Sequence, residues 1–249
     1  MSPLLAELLG TMLLIVMGGG VVANVCLSKT KGNGSGWIVI ATAWAMAVYV
    51  GVVVAAPYSG AHLNPAVSIG LAIAGKFAWS QVVPYIIAQI IGASTGAFLV
   101  WVAYKKHFDA TEDKGAILAV FCTNAEIKSP FYNFLTEVIG TFALMFVVFY
   151  ISGGELCPEG GNENIPVGLG SVGGIPVAFT VWAIGLSLGG PTGYAINPAR
   201  DLAPRLMHNL LPIKAKGSSQ WGYAWIPGIA PIVGASIAAL LYLCLQNTL

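Results

Sequence analysis

The chain is 249 residues long, 57% hydrophobic and only 8% charged, with a net charge of +1. Soluble domains carry about 25% charged residues, so a water-soluble fold is excluded, and near-neutrality gives a nucleic-acid partner nothing to bind. The four cysteines show neither CxxC nor metal-ligand spacing, so neither a metal nor a cofactor is expected.

A membrane-spanning helix needs about 20 mostly apolar residues. The first such stretch covers about residues 3–27. It lacks the basic start of a signal peptide, and Glu7 interrupts it, so it reads as a retained span. A Lys/Gly/Ser loop (28–36) precedes the second span, 37–57. The stretch Ser59-Gly60-Ala61-His62-Leu63-Asn64-Pro65-Ala66 follows, with a short apolar helix to about residue 74. The third span is about 82–104. A polar segment, 105–129, holds eight of the 21 charged residues. The fourth span is about 131–152, and a glycine-rich acidic loop, 153–164, comes next. The fifth span, about 169–188, leads into Thr192-Gly193-Tyr194-Ala195-Ile196-Asn197-Pro198-Ala199-Arg200 and a helix to about residue 210. After a loop at 214–220, the sixth span covers about 223–246.

Asn-Pro is a helix-start signal, because Asn caps free N–H groups and Pro suits the first turn. Both Asn-Pro-Ala stretches therefore read as irregular loops entering helices, at a depth where hydrocarbon forbids irregular backbone unless it lines a watery path. The halves also repeat. Ala6-Glu7-Leu8-Leu9-Gly10-Thr11 matches Thr136-Glu137-Val138-Ile139-Gly140-Thr141, and Gly92-Ala93-Ser94 matches Gly234-Ala235-Ser236. Three spans per half turn the second half over relative to the first, the inverted-repeat logic of many transporters and channels. The expected fold is all-α and transmembrane: six spans, two re-entrant half-helices and an inverted 3+3 repeat. It forms one membrane domain over 1–249, with halves at about 1–104 and 131–249 joined by 105–130.

Half-helices of about ten residues, at about 1.5 Å per residue, together cross one hydrocarbon core. Their N-termini then meet at the centre, each carrying roughly half a positive charge. Asn64 and Asn197 would orient a passing oxygen while the dipoles repel cations. The loop carbonyls of Gly60, Ala61, His62 and Leu63, and of Gly193, Tyr194, Ala195 and Ile196, would accept from solute hydroxyls. Glu7 and Glu137, intramembrane carboxylates, are expected to hold their own half's loop in shape rather than to relay protons. Gln89 is a buried polar group outside the repeat. His62 is expected to face the path, and His107 and His208 to be loop or interface residues. Gly10, Gly51, Gly92, Gly96 and Gly140 are expected to permit close helix packing. Arg200 follows the second Asn-Pro-Ala where Val67 follows the first, so only one mouth carries a guanidinium.

The paired Asn-Pro-Ala signatures with their repeated Glu resemble the major intrinsic protein family, the aquaporins and glycerol facilitators, over essentially the whole chain. The resemblance implies a selectivity filter of Trp44, Gly185, Tyr194 and Arg200. That set looks like the glycerol-facilitator type, in which two aromatic faces fit a carbon chain and a small Gly leaves room for the second ring. Asp201 and the run to Arg205 look like the same branch. The usual aromatic at Tyr194 is Phe; the extra hydroxyl, and Gly228 where a larger apolar residue is usual, depart from the pattern. The resemblance implies passive passage of glycerol and similar small neutral solutes, with some water. It also implies a homotetramer in the plasma membrane with cytoplasmic termini. That orientation puts Lys29, Lys31, Lys105, Lys106, Lys114, Lys128, Lys214 and Lys216 outside and Lys76 inside, the reverse of the positive-inside rule. Other readings are a pore of the same fold tuned to undissociated lactic acid, dihydroxyacetone, urea or hydrogen peroxide, a proton-coupled transporter using Glu7 or Glu137, or a structural membrane protein. No nucleophile–base pair points to an enzyme.

Overall fold

In hydrocarbon, backbone N–H and C=O groups have no water to bond, so an apolar chain closes its hydrogen bonds within helices. The computed structural model describes residues 1–156 and 165–246 and is built that way. Six helices among the described residues are long and apolar enough to cross a membrane. In chain order the elements are α1 (Pro3–Cys26), α2 (Trp37–Ser59), the half-helix α3 (Pro65–Ile73), α4 (Trp79–Ala103), α5 (Lys105–Ala110), α6 (Lys114–Phe121), α7 (Pro130–Tyr150), α8 (Ile175–Thr192), the half-helix α9 (Pro198–Leu210) and α10 (Trp225–Gln246).

Sequence punctuation sets most boundaries. Ser2 caps α1 by accepting from the Leu5 N–H, with Pro3 in the first turn. Asp113 caps α6, accepting from the Gly115 and Ala116 N–H groups. The spans α2 and α8 end alike, at Gly60 and Gly193, with φ of 78° and 79°. These are left-handed conformations that glycine adopts without a Cβ penalty.

The polar segment 105–129 holds two short helices, α5 and α6. The apolar run Ala116–Phe121 packs α6 against α1 and α9. The fifth membrane-spanning stretch begins at Gly170, as expected, with the 3-10 turn Gly170–Gly174 running into α8 at Ile175. Gly154–Leu156 (β1) and Ile165–Val167 (β2) pair as a short antiparallel hairpin in the acidic loop. Cys157 and the rest of that loop lie outside the described residues.

The repeat is visible in the packing. In the first half α1 packs against α2 and α4; in the second, α7 packs against α8 and α10. A Cβ on Gly92 would run into the carbonyl oxygen of Leu8, and one on Gly234 into that of Val138. Each repeat thus brings its third span against the backbone just past its glutamate. Gly10 and Gly51 do the same for α1 and α2, where a Cβ on Gly51 would lie 2.9 Å from the Gly10 carbonyl oxygen. Small residues allow this approach. The half-helices cross over: α3 lies against α10 and α9 against α4, so each is walled by the third span of the other half.

Candidate functional site

The two glutamates organise the loops. Glu7 is fully buried and accepts from Ser59 Oγ at 2.7 Å, the His62 N–H at 2.9 Å, the Leu63 N–H at 2.7 Å and Gln89 Nε2 at 2.8 Å. Glu137 accepts from Thr192 Oγ1 at 2.6 Å, the Ala195 N–H at 2.9 Å and the Ile196 N–H at 2.8 Å. The hydroxyl before the loop glycine and the third and fourth loop residues are thus bound identically in both halves. Charge-assisted bonds of this kind are about twice as strong as neutral ones. Gln89 adds a bond in the first half only, and also donates to Ser68 Oγ at 3.2 Å.

What these bonds hold is a backbone that would not form unaided. Ala61 (φ 53°), Leu63 (φ 51°), Tyr194 (φ 38°) and Ile196 (φ 44°) all sit in the left-handed region. Such residues cost about 1–3 kcal/mol each and persist where their surroundings over-determine them. The strain is the same at matching positions of both loops. No described residue donates to the carbonyls of Gly60, Ala61 and His62, or of Tyr194 and Ala195. All five residues line a cavity of about 670 Å³. Gly193 departs from expectation, as it is not among the lining residues. Its N–H closes α8 onto the Gly189 carbonyl at 2.8 Å, and its α-carbon faces Thr123.

Asn64 and Asn197 line the same cavity where the half-helices meet. Each side-chain oxygen caps its own helix: Asn64 Oδ1 accepts from the Ala66 N–H, and Asn197 Oδ1 from the Ala199 and Arg200 N–H groups. Each side-chain nitrogen reaches into the other half. Asn64 Nδ2 donates to the Ile196 carbonyl at 2.9 Å, and Asn197 Nδ2 to the Leu63 carbonyl at 2.8 Å. The amides are therefore not wholly free for a passing oxygen. An amide NH₂ has two hydrogens; one of each pair ties the halves together and one remains. The carbonyls of Leu63 and Ile196 are likewise partly committed. Pro65, Ala66, Pro198 and Ala199 are buried behind the asparagines and set the helix starts.

Trp44, Tyr194 and Arg200 line the same cavity. The Arg200 guanidinium lies over the Trp44 ring, 4.2 Å from its centroid. No described residue accepts a hydrogen bond from it. Gly185 does not touch the cavity. It sits behind Tyr194, where a Cβ would be 2.8 Å from the ring's Cζ. A residue not foreseen, Trp37, completes the seat: its ring meets Tyr194 edge-on at 5.8 Å, and its indole N–H donates to the Gly185 carbonyl at 2.9 Å. Val67 lines the cavity at the position matching Arg200.

Behind Arg200 lies a buried ion pair. Asp201 Oδ1 accepts from Arg205 Nε at 2.8 Å and Nη2 at 2.7 Å, and both residues are fully buried. Asp201 Oδ2 accepts from the Thr123 N–H and hydroxyl, both at 2.7 Å. Arg205 also donates to the carbonyls of Thr123, Ser219 and Gln220. One pair thus fastens α9 to the loops on either side of it. His208 is a further correction: it is fully buried under Phe121, with Nδ1 on Ser219 Oγ at 2.8 Å, not a loop or interface residue. His107 sits on α5, with Nδ1 3.1 Å from the carbonyl of Ser28, just past α1. His62 lines the cavity, its Nδ1 3.0 Å from Ser68 Oγ. The hydroxyls of Ser59 and Thr192 were legible in the repeat, since both directly precede the loop glycine.

Six spans, two opposed half-helices and a central cavity lined by carbonyls, two amides and one guanidinium define a membrane channel. The chain matches the major intrinsic protein family over residues 1–242. It is 52% identical to the probable glycerol uptake facilitator protein of Thermotoga maritima, covering 97% of this chain and 98% of that one. It is 48% identical to the glycerol uptake facilitator protein of Streptococcus pneumoniae strain R6, over 97% and 98%. The X-ray structure of the aquaglyceroporin from Plasmodium falciparum superposes with a TM-score of 0.81 at 30% identity, over 96% of this chain and 93% of that one. This chain is a multi-pass membrane protein of the major intrinsic protein family.

Proposed function

We propose that the chain is a passive channel for glycerol and similar small uncharged solutes, with water as a second permeant. Solute runs down its own gradient, and no bond is made or broken. The observation that carries this is the two-sided wall. Carbonyls of the strained loops form one polar strip, while Trp44, Val48, Val52, Val67, Val177 and Val181 make the rest apolar. A polyol has that shape of chemistry, with hydroxyls along one edge and C–H along the other. The relatives named as glycerol facilitators support the choice of solute.

In this reading Trp44, Tyr194 and Arg200 select, with Gly185 seating the Tyr194 ring. The Asn-Pro-Ala residues Asn64, Pro65, Ala66, Asn197, Pro198 and Ala199 set and hold the centre. The remaining N–H of each amide orients the solute oxygen. Loop carbonyls replace lost hydration, and Glu7 and Glu137 keep the loops in shape. Two half-helix N-termini, each worth roughly half a positive charge, and Arg200 raise the barrier to cations and protons. We assign the chain to the plasma membrane as a homotetramer with one pore per subunit and cytoplasmic termini, each subunit a single domain of two inverted halves.

Stopped-flow light scattering on proteoliposomes tests the proposal. Glycerol should enter much faster than into empty vesicles, and without a voltage or proton gradient. Glycerol entry equal to that of empty vesicles rejects it, and uptake against a gradient would favour proton coupling through Glu7 or Glu137 instead.

A further inference from the structure

The spans α1 and α4 press together at one end and part at the other. A Cβ on Gly92 would lie 2.2 Å from the Leu8 carbonyl oxygen, and one on Gly96 would lie 2.5 Å from that of Met12. One turn further along, α4 carries Val100 in place of a glycine, and the backbones lose the small residue that let them approach. By Gly20 the space is open, since a Cβ there would meet nothing within 4 Å. A recess of about 310 Å³ results, lined by Met17, Gly20, Leu99 and Val100. Met17 and Leu99 are exposed, and both helices are long and apolar enough to span, so the recess opens onto hydrocarbon.

Asn24 and Tyr104, a turn beyond Gly20 and Val100, complete the lining with two polar groups. The loop after α1 folds back onto this end. The Gly32 N–H donates to Asn24 Oδ1 at 3.2 Å and the Thr30 hydroxyl donates to the Asn24 carbonyl, which sets Lys31 between them. The Ser28 N–H donates to Thr111 Oγ1 at 2.9 Å, and the Ser28 carbonyl lies 3.1 Å from His107 Nδ1. Lys29 and Lys106 are therefore each one residue from the same junction. Lys29, Lys31 and Lys106 are exposed and form no ion pair among the described residues. The carboxylates of Asp109 and Asp113 are spent on Lys105 and on the α6 cap. Asn24 Nδ2 and Tyr104 Oη also bond to no other described residue.

Any lipid tail fills an apolar recess. A neutral headgroup leaves three gathered cations unmatched, whereas basic pockets at the ends of spans hold anionic headgroups. A phosphate also accepts from an amide N–H and a phenol O–H, the two donors left at the recess. We propose that this recess holds one acyl chain of an anionic phospholipid whose phosphate sits among Lys29, Lys31 and Lys106. The site depends on the chain lying in a membrane and not on which solute it passes.

Native mass spectrometry of the purified channel in detergent tests this, with phosphatidylglycerol and phosphatidylcholine of identical acyl chains as probes. Wild type should bind its first phosphatidylglycerol at least about tenfold tighter than phosphatidylcholine, as expected from two or more lysines near the headgroup. Lys31→Gln with Lys106→Gln should weaken phosphatidylglycerol by about fivefold for each lysine removed and leave phosphatidylcholine unchanged. Gly20→Leu, which fills the recess from a position with room for a side chain, should abolish the tight first site. Phosphatidylglycerol binding that is unchanged in both variants overturns the proposal. So does displacement of the lipid by inorganic phosphate at constant ionic strength, which would make this a site for the free ion. A changed number of subunits in Gly20→Leu would assign the recess to a second copy of the chain and overturn the lipid assignment as well.

Discussion

Gly185 lies directly behind Tyr194: a Cβ there would sit 2.8 Å from the ring's Cζ and 3.0 Å from its Oη. The glycine does not touch solute, yet it decides how far the ring stands out into the cavity. Gly185→Ala should push the ring toward Arg200. Overpacking of this kind costs about 1–3 kcal/mol when the neighbours hold still; here the ring has empty space to move into. Glycerol permeability should fall at least about fivefold on that scale, with water permeability less affected. Stopped-flow measurements of both on one preparation decide it.

Arg200→Ala removes the only charged side chain among the described residues that line the cavity, and uncovers the Trp44 ring. The mouth should widen and admit four- and five-carbon polyols faster than wild type does. Cations should stay excluded, because the two half-helix ends remain. Polyol uptake series and proton-flux assays on the variant check both halves of the statement; a proton leak would assign the barrier to Arg200 alone.

Glu137→Gln keeps the size of the side chain but turns one acceptor oxygen into a donor NH₂. At least one of Thr192, Ala195 and Ile196 then loses its partner. A buried unsatisfied group costs about 1–3 kcal/mol, and it falls on a loop already strained at Tyr194 and Ile196. The expected result is a clearly lower unfolding temperature in detergent. Glu7→Gln should behave alike, since three of its four contacts match.

Breaking the Asp201–Arg205 pair from one side should be severe. Arg205→Met leaves a buried carboxylate facing only Thr123, and removing one partner of a buried pair costs about 3–5 kcal/mol. Asp201→Asn with Arg205→Met should recover part of that loss. Thermal unfolding of the single and double variants measures the difference.

Orientation is open to direct labelling. A single cysteine replacing Lys114, on the exposed first turn of α6, should react with a membrane-impermeant maleimide in intact cells. Reaction only after the cells are opened would place the termini outside and bring the lysines into line with the positive-inside rule.

The parts of this fold that were legible in the sequence are those that hydrocarbon enforces. Spans follow from apolar length, and the half-helices from Asn-Pro at membrane depth. The glutamates were legible because they recur. What escaped were contacts between segments distant in sequence. Nothing near Trp37 announces that its indole N–H binds Gly185, 148 residues away. The split use of each asparagine NH₂ required the opposite loop to be in place. Burial of His208 depends on Phe121 and Ser219, which belong to two other segments. The polar count of 105–129 hid two short helices, although Asp113 and the apolar run after it carried the signal.

The exchanged bonds of Asn64 with Ile196 and Asn197 with Leu63 make each half an unfinished object. Alone, a half would hold an amide and a loop carbonyl at the centre of the bilayer with nothing to meet them. Only a copy inserted upside down supplies both at once. Three crossings per half guarantee this, because joining two copies head to tail turns the second one over. Parity of the span count alone makes a tandem duplication close on itself.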